Sequence, residues 1–201
     1  NISSVVDDFD DGSDLIIHPL PFAVISERIN EASADSMMIL LPAAMLFILL
    51  ILSFIYRSVI DIILNVMALG MAIIWMYGFG SIMGFSSNPM ITAVPVLLVG
   101  LGIDYGIHLT MRYREEIRKG KTIKESLTSM SSSVGMALLL ATFTTVFAFL
   151  SNLTSPVKIL MQFGVLAAVG ILSSFIIMMV FIPSAKKLID TWKSNMGWSL
   201  F

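Results

Sequence analysis

Long uninterrupted stretches of apolar residues alternate with shorter polar segments along this chain. An α-helix rises about 1.5 Å per residue, so a bilayer core takes about 20 helical residues to cross. Five apolar stretches reach that length. The pattern therefore predicts an all-α integral membrane fold, a five-helix transmembrane bundle with a short extracytoplasmic N-terminal segment. The predicted spans are residues 36–56, 62–83, 89–111, 131–153 and 156–184.

The polar segments indicate how the chain is organised. Residues 1–35 are rich in aspartate and glutamate, and we interpret them as the end of an extracytoplasmic domain that leads into the first helix. Within this segment, residues 15–17 predict a short strand, and residues 22–35 predict a polar helix that continues into the first span. Residues 36–187 are the predicted transmembrane domain, and residues 188–201 are a predicted cytoplasmic tail.

The acidic run "DDFDDGSD" invites comparison with a calcium-binding loop. An EF-hand loop has a glycine at its sixth position and a bidentate glutamate at its twelfth. A loop that begins at Asp8 has Ser13 and Pro19 at those positions. We therefore interpret the run as a solvated acidic loop and expect no metal ion there.

The polar segment at residues 112–130 is the only sizeable connection between predicted spans. Gly120 predicts a turn after the third span. Thr122 and Glu125 are three residues apart, the spacing of a capping box, which predicts a short helix beginning after Thr122.

Composition narrows the class of protein. Of 201 residues, 57% are hydrophobic and 13% are charged, and the mean hydropathy is +0.91, far more apolar than a soluble domain. We therefore expect the lipid bilayer as a partner. The net charge of −2 argues against nucleic acid, because binding phosphate requires a basic surface. The absence of cysteine excludes disulfides, zinc–thiolate sites and thiol catalysis, and we expect no cofactor.

The basic residues predict the orientation in the membrane. If the first helix runs inward, the inner segments hold ten of the twelve Lys and Arg residues, and only Arg28 and Lys158 remain outside. Cytoplasmic loops of membrane proteins carry such an excess of positive charge. We therefore expect a multi-pass protein of the cell (plasma) membrane with an extracytoplasmic N-terminus and a cytoplasmic C-terminus.

The stretch "GLGIDYGIHLTMRYREE", residues 100–116, places an aspartate inside the third span. Among the 12 basic and 14 acidic residues, Asp104 alone lies deep within a predicted span. It lies about 22 Å from the outer edge of a hydrocarbon core about 30 Å thick. An ionised carboxylate there costs at least ~2.5 kcal/mol, and such acids mark ion or proton pathways. We interpret Asp104 as a proton carrier; the alternative is a structural carboxyl group hydrogen-bonded to a neighbouring helix.

Small and polar residues surround Asp104 in the sequence. Gly100, Gly102 and Gly106 remove side chains near the acid, and the spacing of Gly102 and Gly106 is typical of closely packed membrane helices. His108 lies one helical turn beyond Asp104 on the same face. It either supports the proton relay or simply lies at the inner membrane interface.

Two threonines of the fourth predicted span lie on one stripe of that helix. Thr142 or Thr145 could offer a hydroxyl group to the third span. The alternative is that each bonds back to a carbonyl of its own helix.

These residues resemble a known family. "GIDYGIHLTMRYREE" contains a glycine four residues before an Asp-Tyr pair, as does the fourth helix of each half of a transporter in the resistance-nodulation-division superfamily. The chain is most similar to the MMPL-type branch, which exports lipids and hydrophobic compounds and is related to sterol-sensing domains and Patched. The block "ALLLATFTTVFAFLSNLTSPVKILMQFGVLAAVGILSSFIIMMVFIPS" is similar to the next two helices, with Pro183 closing the second. The resemblance covers residues 36–187 and implies a proton-driven exporter in which Asp104 and Tyr105 form the proton relay.

The chain also differs from that family. A complete transporter has two halves, whereas this sequence contains helices two to six of one half and begins at Asn1 without an initiator methionine. We therefore expect sequence upstream, and either a second transporter half or a homo-oligomer partner. No predicted span contains a candidate for the family's basic coupling residue.

Two other functions compete with proton-driven export. The first is a lipid-binding or regulatory module of the sterol-sensing type, which would use the same five helices without ion coupling. The second is an intramembrane aspartyl protease, suggested by "GLGID". That chemistry needs two facing carboxylates, and Asp104 has no deep partner in the sequence. We expect a transporter and not an enzyme.

The charge asymmetry yields a test of topology. Because the sequence has no cysteine, single cysteines can be introduced at Asp11 and Lys119. We expect a membrane-impermeant maleimide to label Asp11→Cys only from outside intact cells, and Lys119→Cys only from the cytoplasmic side of inverted vesicles. Labelling of both positions from one side would contradict the predicted number of spans.

Overall fold

The computed structural model describes residues 21–56, 58–85 and 88–196. The short strand predicted at residues 15–17 and the acidic run near Asp8 lie outside the described residues. The structure confirms an all-α membrane bundle with five helices long and apolar enough to span a membrane. The helices are α1 Pro21–Tyr56, α2 Val59–Ile82, α3 Pro89–Arg118, α4 Ile123–Ser129, α5 Gly135–Leu150 and α6 Lys158–Asn195.

The first and last long helices extend beyond the predicted spans. α1 begins at Pro21, which confirms the prediction of a polar helix that continues into the first span. α6 runs to Asn195, so the predicted end at residue 184 is wrong. Pro183 lies inside α6 and does not close it. Membrane helices tolerate an internal proline because neighbouring helices and hydroxyl side chains satisfy the freed backbone groups.

Helix α6 lies at the centre of the bundle. It packs against α2, α3 and α5, while α1 packs mainly on α3. Large apolar side chains fill the contacts around α6. The fully buried ones include Met76, Leu98, Leu166, Ile171, Met178 and Ile182.

The connection between α3 and α5 follows the predicted turn chemistry. Gly120 has a φ of 82°, a left-handed conformation that suits glycine and ends α3. The Thr122 hydroxyl accepts from the Glu125 backbone N–H at 3.3 Å, and the Glu125 carboxylate accepts from the Thr122 N–H at 3.0 Å, so the capping box is confirmed. A π-helical turn, Met130–Val134, then joins α4 to α5 where a regular helix is predicted.

Two glycines of α3 lie at close contacts with neighbouring helices, as their spacing predicts. A methyl group in place of the Gly102 hydrogen would lie 2.6 Å from Ser174 Oγ on α6. A methyl group at Gly106 would overlap the side-chain oxygen of Asn65 on α2. Asn65 cannot easily move away, because its amide nitrogen donates to the Asp61 carbonyl at 2.7 Å.

Larger side chains at these glycines should therefore weaken the bundle. We expect Gly102→Leu and Gly106→Leu each to lower the free energy of unfolding by about 1–3 kcal/mol, the usual cost of overpacking. Gly78→Leu is the matched control, because a side chain at Gly78 meets no atom within 4 Å. Thermal unfolding of the purified protein in detergent measures the difference. Equal losses in all three variants would show that these glycines make no special contact.

Candidate functional site

Asp104 lies on the outer surface of the bundle. Its side chain is exposed on α3 and faces a groove of about 370 Å³ between α3 and α1. Within the described part of the chain, Asp104 makes no hydrogen bond or ion pair. The rest of the groove is lined by apolar residues and one glycine. They are Ala44, Phe47, Ile48, Ile51 and Leu52 of α1, and Val96, Val99, Gly100, Ile103 and Ile107 of α3.

Tyr105 points the other way, into the bundle. Its ring is buried and meets Phe175 of α6 edge-on, with the ring centroids 6.0 Å apart. Its hydroxyl group lies 3.1 Å from Thr142 Oγ1 on α5. Thr142 has one hydroxyl proton, and the shorter bond, 2.7 Å to the Leu138 carbonyl, uses it. The Tyr105 hydroxyl is therefore the donor to Thr142, so Thr142 bonds both across to α3 and back to its own helix.

The other predicted site residues, Thr145, His108 and Gly100, lie apart from the bond between Tyr105 and Thr142. Thr145 bonds back to the Ala141 carbonyl at 2.8 Å and does not join Tyr105. His108 is exposed, one turn from Asp104. A side chain at Gly100 would meet no atom within 4 Å, so Gly100 shapes the groove beside Asp104 and is not a helix contact in this chain.

A buried group of charges lies at one end of the bundle, where α1 and α3 end and α2 begins. The Asp61 carboxylate of α2 is 1% exposed and forms ion pairs with Arg114 of α3 and, at 2.5 Å, with Lys186 of α6. The cationic side chains are themselves only 11% and 8% exposed. We call these three residues the Asp61 cluster and this end of the bundle the basic end.

Neighbouring groups connect the Asp61 cluster to the end of α1 and add contacts between α3 and α6. Arg114 donates to the Tyr56 carbonyl of α1 at 2.5 Å. The Tyr113 hydroxyl donates to the Asp190 carboxylate of α6 at 2.6 Å. The Lys186 ammonium lies 5.3 Å from the centre of the Tyr113 ring, a cation–π contact. Asp61 and Asp190 thus balance the charges of Arg114 and Lys186.

The span pattern does not reveal the Asp61 cluster, because all three residues fall outside the predicted spans. Asp61 precedes the second predicted span by one residue, Arg114 follows the end of the third, and Lys186 follows the end of the fifth. The structure therefore shows a buried basic residue, Lys186, on the part of α6 that continues beyond the last predicted span. The predicted spans themselves contain no candidate for such a residue. The four-residue spacing of Lys186 and Asp190, which places both on one helical face, is the signal that could have revealed it.

No metal centre accompanies these residues. Across residues 21–56, 58–85 and 88–196, no group of three or more His, Asp or Glu side chains is arranged to hold a metal ion.

Similar proteins point to one family. A putative membrane protein of Methanocaldococcus jannaschii is 29% identical over 77% of this chain and 40% of its own length. The hopanoid transporter HpnN of Rhodopseudomonas palustris is 32% identical over 52% of this chain and 12% of its length. The sulfolipid-1 exporter MmpL8 of Mycobacterium tuberculosis is 23% identical over 71% of this chain and 13% of its length. The chain thus spans less than half the length of each of these relatives.

The family model extends over more of the chain than any one of these relatives. The model of the MMPL family matches residues 2–199, which include both the Asp104 surface and the basic end. This match confirms the resemblance found in "GIDYGIHLTMRYREE" and in the last two spans. The chain belongs to the MMPL family of the resistance-nodulation-division superfamily.

Proposed function

We propose that this chain is the transmembrane half of a secondary transporter that uses the proton-motive force to export lipids or other hydrophobic compounds. The observation that carries the proposal is the position of Asp104. It is a carboxylate inside a membrane span, beside an apolar groove, with no polar partner among the described residues.

An uncovered carboxylate is costly at this position. An aspartate near the centre of a membrane helix costs about 2.5–3.5 kcal/mol on insertion scales. This cost is avoided in two states. In one, the carboxylate takes up a proton and loses its charge; in the other, it stays charged and contacts water or a polar partner. A group that alternates between these two states as the protein changes conformation can couple proton flow to transport. We assign this role to Asp104.

The groove beside Asp104 is the surface at which we place a second transporter half or a second copy of this chain. A partner there would cover the exposed apolar face of α1, where Phe47 is 65% exposed and Phe54 is 82% exposed. It would also bring a polar group to Asp104. This chain matches only 12% to 40% of the length of these relatives, which supports a larger assembly.

Tyr105 and Thr142 support the relay from inside the bundle. The hydrogen bond between them and the ring contact with Phe175 hold α3 against α5 and α6. They therefore fix the rotation of α3 and with it the direction of the Asp104 side chain. His108, one turn from Asp104 toward the basic end, is positioned to pass a proton in that direction; we assign Thr145 no part in the relay.

The substrate class follows from the relatives. One is named a hopanoid transporter and another a sulfolipid-1 exporter, and both names refer to lipids. We therefore propose lipids or other hydrophobic compounds as the substrates of this protein. We place the protein in the plasma membrane, with its N-terminus extracytoplasmic and its basic end facing the cytoplasm.

Replacement of Asp104 tests the proton relay. We expect Asp104→Asn in the full-length protein to abolish export driven by a pH gradient, because the amide keeps the shape of the side chain but cannot carry a proton. Flux of a fluorescent lipid from vesicles with an imposed pH gradient measures export. Asp35→Asn, the same change at an exposed position of α1 outside the span, is the matched control. Wild-type export by the Asp104 variant would refute the relay.

The same variant separates the transporter from a sterol-sensing-type module. A module without ion coupling predicts that lipid binding survives Asp104→Asn and that a pH gradient has no effect on the wild-type protein. Gradient-dependent flux that disappears in the variant excludes this alternative.

Tyr105→Phe should have a smaller effect than Asp104→Asn. It removes one hydrogen bond to Thr142, worth about 0.5–1.5 kcal/mol, so we expect export to fall by at most about tenfold. The same vesicle assay measures the loss. A loss as complete as that of the Asp104 variant would show that the hydroxyl carries the proton itself.

A further inference from the structure

A cavity of about 1070 Å³ lies at the basic end, between α1, α2, α3 and α6. Among the residues that the structure describes, six Lys and Arg side chains and three carboxylates line it, a formal surplus of three positive charges. The buried charges of Asp61, Arg114, Lys186 and Asp190 cancel. The surplus therefore belongs to the outer part of the cavity.

The outer part carries four cations from two helices. Arg112, Arg118 and Lys119 come from the end of α3 and its cap, and Lys193 comes from the last turns of α6. Of the described residues, Glu115 is the one carboxylate that lines this outer part.

Three of these cations, Arg112, Arg118 and Lys119, already have an interaction partner in the protein. Arg112 and Lys119 each form ion pairs with Glu115 and Glu116. The Glu115 carboxylate, followed by that of Glu116, raises the pKa of the Lys119 ammonium, which stays charged. Lys193, by contrast, has no ion pair among the residues that the structure describes.

Guanidinium groups in the cavity lining favour an anion. Guanidinium groups form strong, charge-assisted hydrogen bonds with phosphate and carboxylate oxygens. Arg112 and Arg118 of α3 both line the outer part of the cavity.

Apolar side chains also line the cavity. They are Phe54 and Ile55 of α1 and Met111 of α3, and both Phe54 and Met111 are exposed. The cavity therefore combines cationic and apolar lining residues. Basic pockets between membrane helices suit anionic lipid headgroups.

We propose that this cavity binds the phosphate group of an anionic amphiphile, with Lys193 and Arg118 as the outer cationic contacts. The phosphate can come from a bilayer lipid such as phosphatidylglycerol or from a soluble phosphate ester. This site is separate from the Asp104 surface and does not depend on proton-driven export.

The test is a lipid titration of the full-length protein in detergent, followed by native mass spectrometry at constant ionic strength. The probe is short-chain phosphatidylglycerol. We expect Lys193→Gln and Arg118→Gln each to weaken its apparent affinity about fivefold, the effect of removing one cation near an anionic headgroup. Lys187→Gln is the matched control, because Lys187 is exposed on the same helix but does not line the cavity. It should bind as the wild type does.

Asp104→Asn should also bind phosphatidylglycerol like the wild type, which separates this site from the proposed proton relay. Equal weakening by Lys187→Gln and Lys193→Gln would show general attraction to a basic surface and overturn the proposal. Unchanged affinity in both cavity variants would overturn it as well. Competition by glycerol phosphate at the wild-type site identifies a soluble ligand, and its failure to compete identifies the bilayer lipid.

Discussion

The buried carboxylate of Asp61 is the contact on which the rest of the bundle depends. It is 1% exposed and lies between two cations from other helices, Arg114 and Lys186. Removing one partner of such a group leaves an unpaired buried charge and costs about 3–5 kcal/mol. Because Arg114 also holds the end of α1, this one carboxylate fixes four helices relative to one another.

A fixed α3 determines where its functional groups point. Consecutive residues of a helix differ in direction by about 100°, so Asp104 and Tyr105 cannot share a surface. Gly102, Gly106 and Tyr105 face the interior, where they bring α3 close to α2, α5 and α6. Asp104 consequently faces the groove. The two residues of the Asp-Tyr motif therefore have different roles: Tyr105 packs inside the bundle, and Asp104 places a carboxyl group on its outer surface.

Helix α6 is long enough to reach the basic end of the bundle. As it continues past Pro183, it brings Lys186 and Asp190 onto the ends of α2 and α3 and places Lys193 beside the cavity. His108, one turn from Asp104 on α3, lines this cavity. In the proposed relay, a proton that leaves Asp104 toward the basic end would thus enter a region whose charges come from α2, α3 and α6.

The sequence by itself determined the elements that depend on local chemistry. Apolar length is enough to predict five spans, the spacing of Gly102 and Gly106 predicts close packing, and Thr122 with Glu125 predicts a helix start. The end of α6, the Asp61 cluster and the outward direction of Asp104 were decided only by the tertiary structure. A proline ends a helix unless neighbouring helices hold it, and a charge stays buried only beside its partners. Those neighbours and partners are distant in sequence, so no local pattern reveals them.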